Sequence, residues 1–189
     1  MNGIVIKTTG VYYTVKTDAN DIVQCRLKGK LRIANIKSTN PVVVGDKVEV
    51  KQESKLWIIE RIRKRKNYLL RRSVNLSKEH HIIASNIDLA ILMITLDSPV
   101  TSTGFIDRFL VAANAYGVGV VLLFNKIDLL KGDILQKQIH LQKVYENIGY
   151  KCYSFSVLND DLSSIKKLMT DRVSIVSGHS GVGKSTFIN

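Results

Sequence analysis

Eight residues near the C-terminus, Gly178-His179-Ser180-Gly181-Val182-Gly183-Lys184-Ser185, fit G-x-x-x-x-G-K-[ST], the pattern of a phosphate-binding P-loop. The residue types explain the chemistry. Gly178, Gly181 and Gly183 let the backbone turn tightly and aim N–H groups at phosphate oxygens. Lys184 is expected to reach the β- and γ-phosphates and Ser185 to ligate Mg²⁺, so the catalytic assignment falls on these two. His179, Ser180, Val182 and Thr186 complete the expected nucleotide contacts. His179 is read as a backbone contributor, because side chains at variable P-loop positions often face away.

A second motif, Asn125-Lys126-Ile127-Asp128, lies some fifty residues earlier and reads as a guanine-binding N-K-x-D. The Asp128 carboxylate can accept from guanine N1–H and the 2-amino group together. Adenine offers no such pair, and sites built on this kind of pairing discriminate by about 10⁴–10⁵. The Lys126 stem can lie along the base plane, and Asn125 can tie the motif to the P-loop. The plainer alternative is an N-cap followed by a turn, a common use of Asn and Asp. Between the motifs, Ser156-Val157 is expected to present a backbone N–H to guanine O6, although valine is bulkier than the usual alanine there.

The order of the motifs is inverted. In an ordinary GTPase the P-loop comes first; here the base-reading motif precedes it, as in a circular permutation. No D-x-x-G follows the P-loop and no switch threonine is present, because the sequence stops at Asn189, four residues past Ser185. The chain is therefore expected to be a fragment, inactive in hydrolysis by itself, whose continuation carries the switch regions.

The motifs need elements to hold them. Ile87–Ile94 is an almost continuous apolar run, as for a buried parallel strand. Phe105, Phe109, Ala112, Ala113 and Tyr116 recur at helical spacing, closed by Gly117. Val120–Phe124 is a second strand, 133–148 a helix, Cys152–Phe155 a third strand, Asp160–Met169 a helix with acids at its start, and Val173–Val176 a fourth strand running into the P-loop. This alternation predicts a P-loop α/β domain over 85–189, with a doubly wound parallel sheet.

Upstream, Ile4–Ile6, Val11–Val15, Ile22–Leu27, Val48–Val50 and Trp57–Ile59 are short, β-branched or aromatic, and separated by turn residues. Five such strands predict an OB-type barrel over 1–66, a fold whose face and loops commonly bind oligonucleotides; an SH3-like barrel gives nearly the same pattern. Residues 67–84 are read as a basic linker, with His80-His81 as ordinary linker residues.

The net charge of +12 is one-sided: residues 1–80 hold 18 Lys/Arg against 7 Asp/Glu, and residues 81–189 hold 10 against 9. That asymmetry assigns a polyanion, RNA, to the first half. Residues 61–72 hold seven bases and no acid, and Arg63, Arg65, Arg71 and Arg72 are the candidate phosphate contacts. The alternative is a basic surface that is only solvated. Cys25 and Cys152 match no metal spacing and are read as reduced, buried thiols. No run of 18 apolar residues exists, and the N-terminus lacks the pattern of a signal peptide. A cytoplasmic, monomeric protein with no membrane partner is expected.

With these residues in hand, the chain resembles the ribosome small-subunit-dependent GTPase A family. The resemblance rests on Gly45-Asp46-Lys47-Val48, Arg65-Lys66-Asn67, Ala84-Ser85-Asn86-Ile87-Asp88, Phe105-Ile106-Asp107-Arg108, Asn125–Leu129 and Ser177–Ser185. It implies an OB domain, a permuted GTPase domain and a C-terminal Zn²⁺ domain beyond this chain. It also implies GTP and GDP as ligands with Mg²⁺, and the 30S subunit and its 16S rRNA as partners, with hydrolysis stimulated by that subunit during late maturation. Two other readings stand beside it: a P-loop ATPase or small-molecule kinase with a fortuitous N-K-x-D, and an RNA-associated adaptor that holds nucleotide without turnover.

Overall fold

Alternation along five short strands, β1 Asn2–Thr9, β2 Tyr12–Thr17, β3 Ile22–Leu27, β4 Lys47–Glu53 and β5 Leu56–Ile62, turns one set of apolar side chains inward and closes the sheet on itself. The computed structural model of the chain describes residues 1–29, 41–54, 56–72 and 80–189. Those residues fall into two units, Met1–Ile87 and Asp88–Asn189.

The barrel order is β1-β2-β3-β5-β4, with β3 and β5 parallel and the β1–β2, β2–β3, β4–β5 and β1–β4 pairs antiparallel. This is the Greek-key order of an OB-type barrel, and it removes the SH3-like alternative. Val5, Tyr13, Val15, Cys25, Leu27, Val48, Val50 and Ile59 fill the interior. Register shifts at Val5/Lys7 and Glu49/Val50 bend β1 and β4, as bulges do where a small sheet must curve.

Residues 67–84, expected as a linker, contain two strands. β6 Tyr68–Arg72 pairs antiparallel with β7 His80–Ser85, and both group with the barrel. Residues 73–79 of that segment lie outside the described residues, as do the side chains of Arg71, Arg72, His80 and His81.

A polar joint binds this ribbon to the barrel, and it is assembled from three segments distant in sequence. Asp46 is wholly buried. Its carboxylate accepts from the Arg65 guanidinium at 2.7 Å on each oxygen, from the Ser85 hydroxyl at 2.6 Å and from the Val43 N–H at 2.9 Å. Arg65 donates further to the Pro41 carbonyl at 3.0 Å. Asn86 donates to the Gly45 carbonyl at 2.8 Å and accepts from the Lys66 N–H at 2.8 Å. Asn67 exchanges two bonds with the Ile87 backbone. Gly45, at φ +91°, lies so close to the Ser85 carbonyl that a Cβ there would collide with it. A buried carboxylate is tolerable only when paired and fully hydrogen-bonded, and here every oxygen is.

The second unit is a four-stranded parallel sheet in the order β10-β9-β8-β11: β8 Leu89–Ile94, β9 Val120–Phe124, β10 Lys151–Ser154 and β11 Ser174–Ser177. Every residue of β8 is buried, as a central strand covered on both faces requires. On one face α1 Thr103–Ala115 and α2 Gly132–Asn147 contribute Ile106, Leu110 and Tyr145 to a core with Leu92, Ile94, Leu122 and Phe124. On the other, α3 Ser163–Met169 contributes Ile165 to a core with Ile91, Met93, Leu123, Phe155 and Val182. The expected doubly wound arrangement is therefore present. α3 starts three residues later than the acidic start at Asp160 predicts. Asp161 instead sits ahead of the helix and accepts from the Ser163 N–H at 2.9 Å and the Ser163 hydroxyl at 2.7 Å, an alternative use of aspartate that competes with helix. The last element, α4 Lys184–Ile188, follows the P-loop directly. Among the described residues no helix is long and apolar enough to cross a membrane.

Candidate nucleotide site

Parallel strands end on one side of the sheet, and the crevice beyond their carboxyl ends is where ligands sit in open α/β folds. β8, β9, β10 and β11 deliver there the loop 95–101, the N-K-x-D motif, Ser156-Val157 and the P-loop.

Asn125 is the keystone of this end. Buried to 2% exposure, it follows β9 and is anchored by its own N–H to the Ile94 carbonyl at 2.8 Å. Its side-chain N–H donates to the Val182 carbonyl inside the P-loop at 2.8 Å, and its Oδ1 accepts from the Val157 N–H at 3.0 Å. One amide thus joins its own loop to two others that lie 32 and 57 residues away in sequence. The P-loop closes over it so tightly that a Cβ on Gly183, at φ +103°, would strike the Asn125 amide nitrogen. Gly178 has φ +143°, and a Cβ there would lie 2.6 Å from the Met93 carbonyl.

Lys126 takes the left-handed conformation, φ 65°, uncommon for a non-glycine residue and frequent where a site constrains the backbone. Its ammonium donates to the Ser98 carbonyl at 2.6 Å, stretching the stem between the loops after β9 and β8. Ile127–Leu129 form one 3₁₀ turn, which lifts Asp128 into solvent. Asn159 donates to the Asp128 carboxylate at 3.3 Å, fixing the group whose pairing with a base edge is expected.

The Lys184 ammonium folds back on the loop, donating to the Gly178 carbonyl at 2.9 Å and the His179 carbonyl at 2.6 Å. Ser180, Ser185 and Thr186 are exposed, whereas Val182 is buried in the core beneath the loop. Val182 therefore serves the loop through its backbone. The His179 ring packs against Phe105 of α1, tilted by 34° at a centroid distance of 4.2 Å. The Ser185 hydroxyl is an oxygen donor of the type hard cations prefer, so it fits the Mg²⁺ assignment.

Ser156 and Val157 stand beside the N-K-x-D loop. The Ser156 N–H donates to the Asp160 carboxylate at 2.6 Å and the Val157 N–H to the Asn125 side chain at 3.0 Å. The turn 156–160, closed by Asn159 and Asp160 N–H bonds to the Ser156 carbonyl, brings the acid under the Ser156 N–H.

Ser98 and Asn159 belong to this site although no linear motif marks them, because a single Ser or Asn in a loop carries no spacing signal. Phe105 and Asp160 are legible only as a helix-face residue and an acidic helix start, and their contacts with His179 and the Ser156 N–H come from packing.

Of the RNA candidates, Arg65 is corrected. Its guanidinium is held by buried Asp46, and its side chain is 17% exposed. Arg63 stands at the barrel surface, donating to the Asn2 side chain at 2.7 Å and lying 3.5 Å from Glu49. Among the described residues no group of three or more His, Cys, Asp or Glu converges as a metal site.

Comparison with known proteins places this geometry. The family model described as RsgA GTPase matches residues 62–189, and that of the RsgA N-terminal domain matches residues 2–56. A small ribosomal subunit biogenesis GTPase RsgA from Flavobacterium johnsoniae is 52% identical over 100% of this chain and 60% of its own length. One of the same description from Bacteroides fragilis is 50% identical over 100% of this chain and 62% of its own. Among solved structures, YjeQ from Thermotoga maritima superposes with a TM-score of 0.78 at 32% identity, covering 100% of this chain and 63% of that one. YloQ, described as a circularly permuted GTPase, gives 0.69 at 30% identity, covering 98% and 62%. The chain thus spans about 60% of the length of the curated relatives it matches.

Proposed function

Because the chain belongs to the RsgA GTPase family, we propose that the protein of which it is part binds and hydrolyses GTP in the maturation of the small ribosomal subunit. The observation that carries this reading is the Asn125 junction, which holds a base-reading loop and a phosphate-binding loop in one fixed frame. Asp128 reads the guanine edge. Lys184 exchanges the Gly178 and His179 carbonyls for β- and γ-phosphate oxygens, while the N–H groups between Gly178 and Ser185 surround the phosphates. Ser185 would hold Mg²⁺ through its hydroxyl, and the ion would supply positive charge next to the phosphates. The nucleotides are GTP and GDP, the other partner is the 30S subunit with its 16S rRNA, and the protein works as a cytoplasmic monomer. The Zn²⁺ domain that the family resemblance implies is assigned to a part of the protein outside residues 1–189. Arg63, Arg71 and Arg72 remain phosphate contacts for RNA on the charge argument alone.

The test is calorimetric titration of this chain and of the full-length protein with GDP, GTP and ATP, together with turnover of the full-length protein with and without 30S subunits. Guanine nucleotides should bind and ATP should not. Lys184→Ala should abolish turnover while leaving the barrel folded. Equal affinity for ATP and GTP would make the N-K-x-D fortuitous, and binding without turnover in the presence of subunits would favour an adaptor.

A further inference from the structure

The outward face of β1, β2 and β3 carries an arrangement that the nucleotide site does not use. Arg26 of β3 lies over the ring of Tyr12 of β2, its guanidinium carbon 4.8 Å from the ring centroid, and also meets the Tyr12 hydroxyl. Tyr12 nevertheless keeps 38% of its surface exposed. We propose that this face is a stacking platform for unpaired RNA nucleotides, with Tyr12 and Arg26 as the base-stacking pair and Lys7, Lys16 and Lys51 as the phosphate contacts around it. The proposal rests on the reading of the barrel as an RNA-binding unit and states which surface and which form of RNA.

Register supports it. Three rows of outward residues cross the strands. The first runs Thr9–Tyr12, then Arg26–Ile58–Lys51; the second is Lys7–Thr14–Gln24; the third is Ile4–Lys16–Ile22. On β2 and β3 successive rows stand two residues apart, about 7 Å along the strands, a step that an extended single strand can follow one nucleotide at a time. Each row carries at least one Lys or Arg, and β1, β2 and β3 together contain no Asp or Glu. A guanidinium lying over an exposed tyrosine ring offers an unstacked base a cation and a π-face irrespective of sequence. A duplex buries its base faces and shows only edges and backbone, so a stacking pair is of little use to it.

The experiment is fluorescence anisotropy of a labelled oligouridylate and of a labelled RNA duplex with this chain, across a salt series. The single strand should bind more tightly than the duplex. Tyr12→Ala should weaken single-strand binding about 5- to 150-fold, the range expected for one stacked base, with the salt slope unchanged because no phosphate contact is lost. Arg26→Lys should lose affinity at constant slope, whereas Tyr12→Phe should retain it. Lys7→Gln with Lys16→Gln should reduce the magnitude of the slope by about 1.4. Trp57, the single tryptophan, packs on the barrel core, so its unchanged emission certifies that each variant is folded. If wild type binds steeply with salt and Tyr12→Ala binds equally well, the platform is wrong and the RNA reading stands. A preference for duplex also overturns the platform. If wild type binds neither probe, both readings fall.

Discussion

Asp128 is an exposed carboxylate held at one oxygen by Asn159, and its value lies in what it accepts. Asp128→Asn replaces an acceptor with a donor facing guanine N1–H and the 2-amino group. GTP affinity should fall by most of the ~10⁴ discrimination such pairing provides, and xanthine nucleotides, whose 2-oxo group accepts from the new amide, should gain. Competition of GDP and XDP against a labelled nucleotide measures both changes; unchanged GDP preference would remove Asp128 from base recognition. The cysteines are residues of another kind. Burial pushes the Cys25 thiol up to about 11, and burial with the Glu146 charge pushes Cys152 to about 11, against an ordinary 9.0. A thiol whose folded pKa is raised contributes stability that is whole below pH 9.0 and is lost as pH rises through about 11. Urea midpoints should therefore hold from neutral pH to the lower bound of that window and fall across it. Cys25→Ala with Cys152→Ala should flatten the fall.

At the scale of elements, the polar joint decides how the ribbon β6–β7 is held on the barrel. Removing one partner of a buried ion pair leaves the other uncompensated, at a cost of about 3–5 kcal/mol. Asp46→Ala strands the Arg65 guanidinium and frees the Ser85 hydroxyl and the Val43 N–H. It should lower the stability of the first unit by about that amount in denaturant melts followed through Trp57. The pair Asp46→Ala with Arg65→Met should recover part of it, because no charge is then left buried. A loss no greater than that of a surface substitution would mean the joint is solvated in solution. The same joint explains why Arg65 differs from its basic neighbours: density of charge in 61–72 is visible in sequence, but which arginine meets a carboxylate is set by the approach of residues 46 and 85.

At the scale of the molecule, charge is segregated by sequence, with 18 of the 28 Lys/Arg in residues 1–80. RNA affinity should therefore fall steeply with salt. Arg63→Gln, Arg71→Gln and Arg72→Gln should each reduce the magnitude of the slope by about 0.7 on a single strand or 0.9 on a duplex. Arg65→Gln should act instead by destabilising the first unit. Filter binding across a salt series checks this, and slopes equal to wild type in all three variants would remove those residues from RNA contact. The family boundary and the spatial boundary also differ. The GTPase family model begins at residue 62, so it includes the ribbon, yet in space the ribbon groups with the barrel through Ile87.

What the sequence determined by itself is whatever is written in local period or in a contiguous motif. Five β-branched runs with turn residues between them specify a small barrel, apolar runs alternating with helical spacing specify the α/β unit, and the P-loop and N-K-x-D announce their chemistry, since each is a run of adjacent residues whose backbone and side chains act together. What only the tertiary structure decided is whatever depends on residues distant in sequence. The choice of OB-type over SH3-like closure rests on β3 meeting β5 in parallel. The strand character of residues 68–72 and 80–85 comes from their pairing, because a basic, weakly alternating stretch has no period of its own to reveal it. The capture of Arg65 by Asp46, of the Val157 N–H by Asn125, and of the His179 ring by Phe105 all required two elements to arrive at one point. Hydrogen bonds and ring contacts act over a few ångströms of space, and separation along the chain places no limit on them, so the partners of a polar side chain are fixed by packing.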